Sequence, residues 1–347
     1  MSYYADSKTA TKIISCEGPT TEGRTVAACK STSHADTAGN DVYTIDGYDT
    51  KNILICNKDD GCVFSLSLAN ETQPSHYVYL NANFNSSTNN KQVIICKEGV
   101  GCLEYKTNST STDYRYYINA GSKTRSSLED TLIECKDTCQ VLPAHDSEIY
   151  VNEFDTSKTI QCYQNKGCVS VDSKASETKN EIFLNSSDLN SDNERALEKD
   201  LIKCVNTEGI IECEAENGVA NEVYINSHNT TELIICTSEG CETMASEADT
   251  TSPEYYINAD PTDGDPLSGD LIKCKKTGSK INCEVTNGKN GDVFLNANAD
   301  RDSDKKPLIV CSEDEATADS LPVYYVNSGN VSPSNLQEAL IKCTYEK

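Results

Sequence analysis

Apolar residues come along this chain in short bursts. Segments rich in Ile, Val, Leu and Tyr alternate with stretches of Asn, Asp, Ser and Gly, as at Val223-Tyr224-Ile225-Asn226 and Leu271-Ile272-Lys273-Cys274. Short β-branched and aromatic runs bounded by turn formers read as strands. A sustained 3.6-residue periodicity, the mark of an amphipathic helix, is absent. One stretch departs from this: between Asn193 and Cys204, residues 195–199 carry helix formers and predict a turn or two of helix.

The bursts repeat. One motif ends in Asn, at Val78-Tyr79-Leu80-Asn81, Tyr116-Tyr117-Ile118-Asn119, Ile149-Tyr150-Val151-Asn152, Ile182-Phe183-Leu184-Asn185 and Val223-Tyr224-Ile225-Asn226. It continues at Tyr255-Tyr256-Ile257-Asn258, Val293-Phe294-Leu295-Asn296 and Tyr324-Tyr325-Val326-Asn327, with a weaker copy at Tyr43-Thr44-Ile45-Asp46. A second motif ends in Cys, as at Leu132-Ile133-Glu134-Cys135, Leu201-Ile202-Lys203-Cys204 and Leu233-Ile234-Ile235-Cys236. The step is about 35 residues, and Cys135, Cys204, Cys274 and Cys343 recur at about 70, so two alternating types build a longer unit, clearest from about 120 to 347. Repeats this small bury an apolar face only by stacking. The pattern predicts an all-β, right-handed parallel β-solenoid of about nine to ten coils, a single repeat domain over residues 1–347. A string of small disulfide-bonded all-β modules of about 70 residues fits the same period.

Strand alternation assigns faces. In Leu-Ile-Lys-Cys the third position (Glu134, Gln161, Lys203, Lys273, Lys342) is polar and is expected in water, with the second and fourth inward. In the Asn-ending strand the second position is aromatic at Tyr79, Tyr117, Tyr150, Phe183, Tyr224, Tyr256, Phe294 and Tyr325. Either these rings stack inside, with the Asn ladder bonding between coils, or they form an exposed stripe for a partner protein or polysaccharide. On the second reading Tyr79, Tyr117, Tyr150, Tyr224, Tyr256 and Tyr325 are the candidate partner-binding residues. Absence of Trp weighs against a sugar-stacking platform.

Most of the 18 cysteines form local couples: Cys16/Cys29, Cys56/Cys62, Cys96/Cys102, Cys135/Cys139, Cys162/Cys168, Cys204/Cys213, Cys236/Cys241 and Cys274/Cys283. Glycine precedes the second cysteine at Gly61, Gly101, Gly167 and Gly240, consistent with a tight turn. Local pairing is favoured. Bonds between equivalent cysteines of adjacent coils, about 4.8 Å apart in a solenoid, are the alternative. Cys311 has no local mate and Cys343 stands near the end of the sequence, so both are free or bonded to each other.

Composition sharpens the picture. The hydrophobic fraction is 37%, below the usual ~45–50%, with 5 Phe and no Trp, so a thick core is excluded. A net charge of −25 repels phosphates and makes nucleic acid a poor partner. No apolar run reaches the ~18 residues that span a membrane. Many cysteines beside four scattered histidines argue for disulfides rather than zinc. Sequons at Asn70, Asn85, Asn108, Asn185, Asn229 and Asn330 are glycosylation candidates on a secretory route. The N-terminal Met1-Ser2-Tyr3-Tyr4 does not read as a signal peptide, and the chain is expected to be a piece of something longer.

Catalytic signatures are missing: neither a nucleophile elbow, a zincin motif, a phosphate loop nor a dinucleotide fingerprint occurs. Residues 298–304 have the oxygen spacing of a calcium loop, but Ser303 stands where the loop needs Gly and Ile309 where a carboxylate ligand belongs. They and residues 260–265 read as solvated acidic loops. The expectation is a non-enzyme without metal or cofactor.

With Tyr116-Tyr117-Ile118-Asn119-Ala120-Gly121, the recurrent Leu-Ile-Lys-Cys at 201–204, 271–274 and 340–343, and Gly-Cys at 101–102 and 240–241, the sequence resembles the scaffoldins of anaerobic gut fungi. Those are very large, secreted, Cys-rich repeat proteins that assemble cellulosomes. The resemblance implies repeats that act like cohesins and dock the dockerin modules of carbohydrate-active enzymes. It assigns no individual residue. A cell-surface adhesin or wall protein, and a polysaccharide-binding or polysaccharide-acting β-helix, are the competing readings.

Overall fold

The structure is a computed structural model. It describes residues 2–5, 12–17, 28–33, 41–57, 59, 61–66, 76–84, 90–97, 100–122, 126–187, 197–261, 268–299, 307–312, 316–319, 324–326 and 340–342. Every regular element among them is a β-strand. The strands group into nine three-stranded sheets and one of two strands, each sheet built from consecutive strands. A module therefore equals one 35-residue repeat, numbered here 1 to 10 in chain order. In modules 2 to 8 the first strand leads into the Asn motif (Asp46 in module 2), the middle strand carries the Cys motif, and the last strand carries the second cysteine. In module 2 these are Val42–Ile45, Asn52–Asn57 and Gly61–Leu66; in module 3, His76–Leu80, Val93–Lys97 and Gly101–Tyr105. Module 4 has Arg115–Ile118, Leu132–Cys135 and Cys139–Leu142, and module 6 has Glu181–Leu184, Leu201–Thr207 and Ile210–Glu216. Module 7 has Val223–Ile225, Glu232–Thr237 and Gly240–Ala245, and module 8 has Glu254–Ile257, Leu271–Thr277 and Lys280–Thr286.

Pairing within these sheets is antiparallel, so the parallel solenoid is not the fold. The physical reason lies in the cysteine couples. Parallel neighbours need a crossover of a dozen or more residues, whereas two residues come directly opposite a few positions later only if the chain reverses. Cys56 faces Cys62, Cys96 faces Cys102 and Cys204 faces Cys213 across hairpins. Turn chemistry follows loop length. Glu208 and Gly209, both at positive φ (54° and 84°), make the two-residue turn of module 6, the pattern of a type I′ hairpin. Gly61, Gly101 and Gly167, at φ 78°, 96° and 67°, close longer loops. The 70-residue period survives as an alternation of hairpin length: cysteines are 9 apart in modules 6 and 8 but 5 apart in module 7. Module 4 breaks the alternation with a separation of 4. Within residues 195–199, Leu197–Lys199 form a turn, and the following residues enter a strand rather than a helix.

Contacts divide the chain into two compact units, residues 1–155 with 159–171, and residues 156–158 with 172–347. In both units one packing rule holds. The first positions of a module's first and middle strands lie against the second-position aromatic, second-position aliphatic and cysteine of the next module. In the first unit Val78 and Val93 cover Tyr117, Ile133 and Cys135, and Tyr116 and Leu132 cover Tyr150, Ile160 and Cys162. In the second, Ile182 and Leu201 cover Tyr224, Ile234 and Cys236, while Val223 and Leu233 cover Tyr256, Ile272 and Cys274. Both sheet faces are thereby used, which supplies many thin cores from few apolar residues. It also buries the third position of the middle strand, expected in water: Glu134 and Gln161 are buried and Lys203 and Lys273 half-buried. Positions one and three share a face, and the next module covers it. Glu134 is satisfied there by the Tyr116 and Gln140 side chains at 3.1 Å each, with the Lys136 ammonium at 3.4 Å.

Backbone bonds fix the stacking register. The amide after the motif Asn donates to the first-position carbonyl of the preceding module: Ala82 to Tyr43, Ala120 to Val78, Ser227 to Ile182, Ala259 to Val223 and Ala297 to Tyr255, at 2.8–3.1 Å. The last strand, an edge, also spends its cysteine amide on the preceding module, Cys102 on Thr50 O (2.7 Å) and Cys283 on Thr230 O (3.0 Å).

Candidate functional site

The aromatic series predicted from the sequence lies inside the stack. Tyr79, Tyr117, Tyr150, Tyr224 and Tyr256 are 2–8% exposed, each held between its own module and the one before. Tyr43–Tyr79, Tyr116–Tyr150 and Tyr255–Phe294 bring ring centroids to 5.2, 4.3 and 4.3 Å across such interfaces. These rings do not form an exposed stripe, because the position-one residues of the preceding module lie over them. Tyr325 belongs to a described strand, but its side chain lies outside the described residues.

The motif asparagines among the described residues are buried too, and their side chains bond within a module rather than between modules. Their Oδ1 accepts the amide two residues on, as in Asn83 to Asn81, Gly121 to Asn119 and His228 to Asn226, all at 3.0 Å. Their Nδ2 donates across to the carbonyl ahead of the middle strand, Asn119 to Asp130 at 2.7 Å and Asn185 to Lys199 at 2.8 Å. Such Asx turns satisfy backbone groups that a tight reversal would leave unpaired.

Seven disulfides join the middle and last strands: Cys56–Cys62, Cys96–Cys102, Cys135–Cys139, Cys162–Cys168, Cys204–Cys213, Cys236–Cys241 and Cys274–Cys283. Cys16 is bonded as well and stands opposite Cys29, whose side chain is outside the described residues. Cys311 is a buried free thiol because its cross-strand position holds Ala316, and burial pushes its pKa up to about 11. Cys343 lies outside the described residues. Disulfides in this number are consistent with an oxidising, extracellular setting.

Of the sequons, Asn108 is exposed and Asn229 half-buried. Asn185 is buried with its amide nitrogen engaged, so the folded chain withholds it from a glycosyl acceptor role. Asn70, Asn85 and Asn330 fall outside the described residues, as do 300–304 and 262–265 of the two acidic loops. Among the described residues no cluster of His, Cys, Asp and Glu could hold a metal, and no helix is long and apolar enough to cross a membrane.

What the stack leaves open is a groove, and it recurs. In the second unit a cavity of about 560 Å³ is lined by Asn180 and Ile182 of module 6, Tyr224 of module 7, and Asp260 and Glu284 of module 8, among others. In the first unit a cavity of about 220 Å³ is lined by Asp41, Tyr43 and Ile55 of module 2, Tyr79 of module 3, and Gly121 and its neighbours of module 4. The two share four lining positions. Asp41 and Asn180 both stand two places before position one, Tyr43 and Ile182 are position one, Tyr79 and Tyr224 are position two of the next module, and Gly121 and Asp260 both stand two places after the Asn of the third.

Side-chain contacts bridge each groove from the first module to the third. Tyr43 Oη donates to Gly121 O at 2.8 Å. In the second unit Asn180 Nδ2 donates to both Asp260 oxygens at 3.0–3.1 Å, and Lys203 Nζ pairs with Asp260 Oδ1 at 2.9 Å. A Cβ at Gly121 would lie 2.7 Å from the Tyr43 ring, so a larger residue there would displace the ring. Tyr224 closes the floor through a hydrogen bond to Glu222; burial and that carboxylate hold its pKa above the tyrosine range.

Tyr79 and Tyr224 thus come to grooves, at their walls rather than as an exposed row. Sequence reasoning passed over Asp41 and Asn180, and met Gly121 only in the motif that carries the resemblance and Asp260 only in an acidic loop. Their signal was a fixed offset from the Asn motif, visible only once modules one and three are known to meet. No protein-family model matches the chain, and neither a curated protein nor a solved structure is recognisably similar to it.

Proposed function

We propose that this chain is a non-catalytic, secreted scaffold whose tandem modules act like cohesins, docking dockerin-bearing carbohydrate-active enzymes, as the resemblance to gut-fungal scaffoldins implies. The observation that carries the reading is the recurrence, in both units, of a groove where three consecutive modules meet, with four lining positions in common. Equivalent sites repeated on one chain raise the local concentration of partners without new contacts. Disulfide-stapled modules suit a chain that must persist outside the cell.

The test is retention of secreted enzymes on the immobilised chain. Dockerin-bearing enzymes are expected to be retained, and their variants lacking the dockerin module to pass through. Retention on bare cellulose with no enzyme capture would instead establish an adhesin or carbohydrate binder, and reducing-sugar release by the isolated chain would overturn the non-catalytic reading.

A further inference from the structure

We propose that the groove of modules 2–4, lined by Tyr43 and Tyr79, binds the ammonium group of a lysine side chain presented by a partner protein. The inference rests on the docking reading and names the chemistry of its site. Three observations lead to it.

The first is how the repeat treats its own lysines. Position three of the middle strand stands directly opposite position one of the first strand: Ile182 opposite Lys203, Tyr255 opposite Lys273, Tyr43 opposite Ile55. In module 6 that lysine reaches Asp260 on the groove wall at 2.9 Å. In module 8 its ammonium lies 5.6 Å from the centroid of the Tyr255 ring. The same register thus places an ammonium against a carboxylate in one module and against a position-one tyrosine in another.

The second is the substitution in module 2. Tyr43 keeps the position-one ring, but Ile55 replaces the lysine, so the chain supplies no ammonium from that register. The third is what surrounds the ring. Tyr79 lies 5.2 Å away centroid to centroid and Asp41 shares the lining. Asp130 accepts the hydroxyl of Ser122, another lining residue, at 2.5 Å, and burial first, then the Asp41 and Asp130 carboxylates, raise the Tyr43 pKa. Paired aromatic rings with nearby carboxylates attract an organic cation through ring quadrupole and charge together. A cavity of about 220 Å³ admits an alkylammonium chain. The net charge of −25 would draw a lysine-bearing surface toward it.

The full chain is titrated at physiological ionic strength with Nα-acetyl-lysine amide and, in parallel, with the norleucine analogue, which keeps the chain and loses the ammonium. Saturation-transfer NMR on the ligand reads binding. Saturable binding of the lysine derivative is expected, at least tenfold weaker for norleucine. Asp41→Asn should weaken lysine binding about tenfold by removing charge, and Ile55→Lys by filling the groove from within. Equal binding of the two ligands to the natural chain, or no saturable binding of either, overturns the proposal whatever the variants do. Lysine binding unchanged in both variants overturns it as well. Enzyme retention is read separately, so a groove indifferent to ammonium leaves the docking reading to its own assay.

Discussion

Asp200 shows how much one side chain decides at a junction between modules. It is 3% exposed, and its Oδ2 accepts the Cys241 amide of the next module at 2.8 Å. Burial outweighs that bond and pushes its pKa up to about 6. A carboxyl raised in the native state binds more protons folded than unfolded between about pH 4 and 6, so stability falls as pH rises through that window and is flat above it. Thermal unfolding followed from pH 4.5 to 7 should show this slope, and Asp200→Asn should remove a part on the order of 1–2 kcal/mol and be the more stable protein at pH 7. Gly218 decides a junction sterically. A Cβ there would sit 2.3 Å from Cys241 Sγ and 3.1 Å from Cys236 Sγ, and its φ is not in the left-handed region. Gly218→Ala should therefore cost about 1–3 kcal/mol in urea unfolding through overpacking against the disulfide. An unchanged midpoint would show that the junction gives way freely.

Hairpins are the elements that turn a repeat into a module. Glu208 holds φ +54° at the first place of a type I′ turn, a conformation that costs an ordinary L-residue roughly 1–2 kcal/mol and suits Asn better. Glu208→Asn should raise stability by about 0.5–1 kcal/mol, measured as a higher urea midpoint with the slope unchanged. At this scale the sequence was readable almost completely. Strand positions, the couples and the turn before Cys62, Cys102, Cys168 and Cys241 all follow from apolar bursts, spacing and Gly placement. The direction of pairing was also written there, since cysteines 4–9 residues apart and directly opposed require a reversal. A stacking period of 35 residues is shared by parallel coils and antiparallel meanders, and so obscured it.

For the whole molecule, the stacking rule explains a chain of 347 residues with little apolar material. Within each unit, a sheet between two others buries both faces against them, so two apolar positions per strand suffice where a single globule needs a deep interior. That same packing carries Tyr117 and Tyr256 inward and leaves grooves where a first and a third module meet. The grooves were illegible beforehand because they join residues far apart in sequence, Tyr43 with Gly121 and Asn180 with Asp260. Alternation along a strand tells which side a residue faces, but not what covers that side.

Peptide mapping of the non-reduced protein tests this account most directly. Antiparallel modules predict cross-links confined to cysteines within one hairpin, such as Cys96–Cys102, Cys204–Cys213 and Cys274–Cys283, with Cys311 alkylated only after unfolding. Cross-links between equivalent cysteines one repeat apart, such as Cys96 to Cys135 or Cys204 to Cys236, would contradict it.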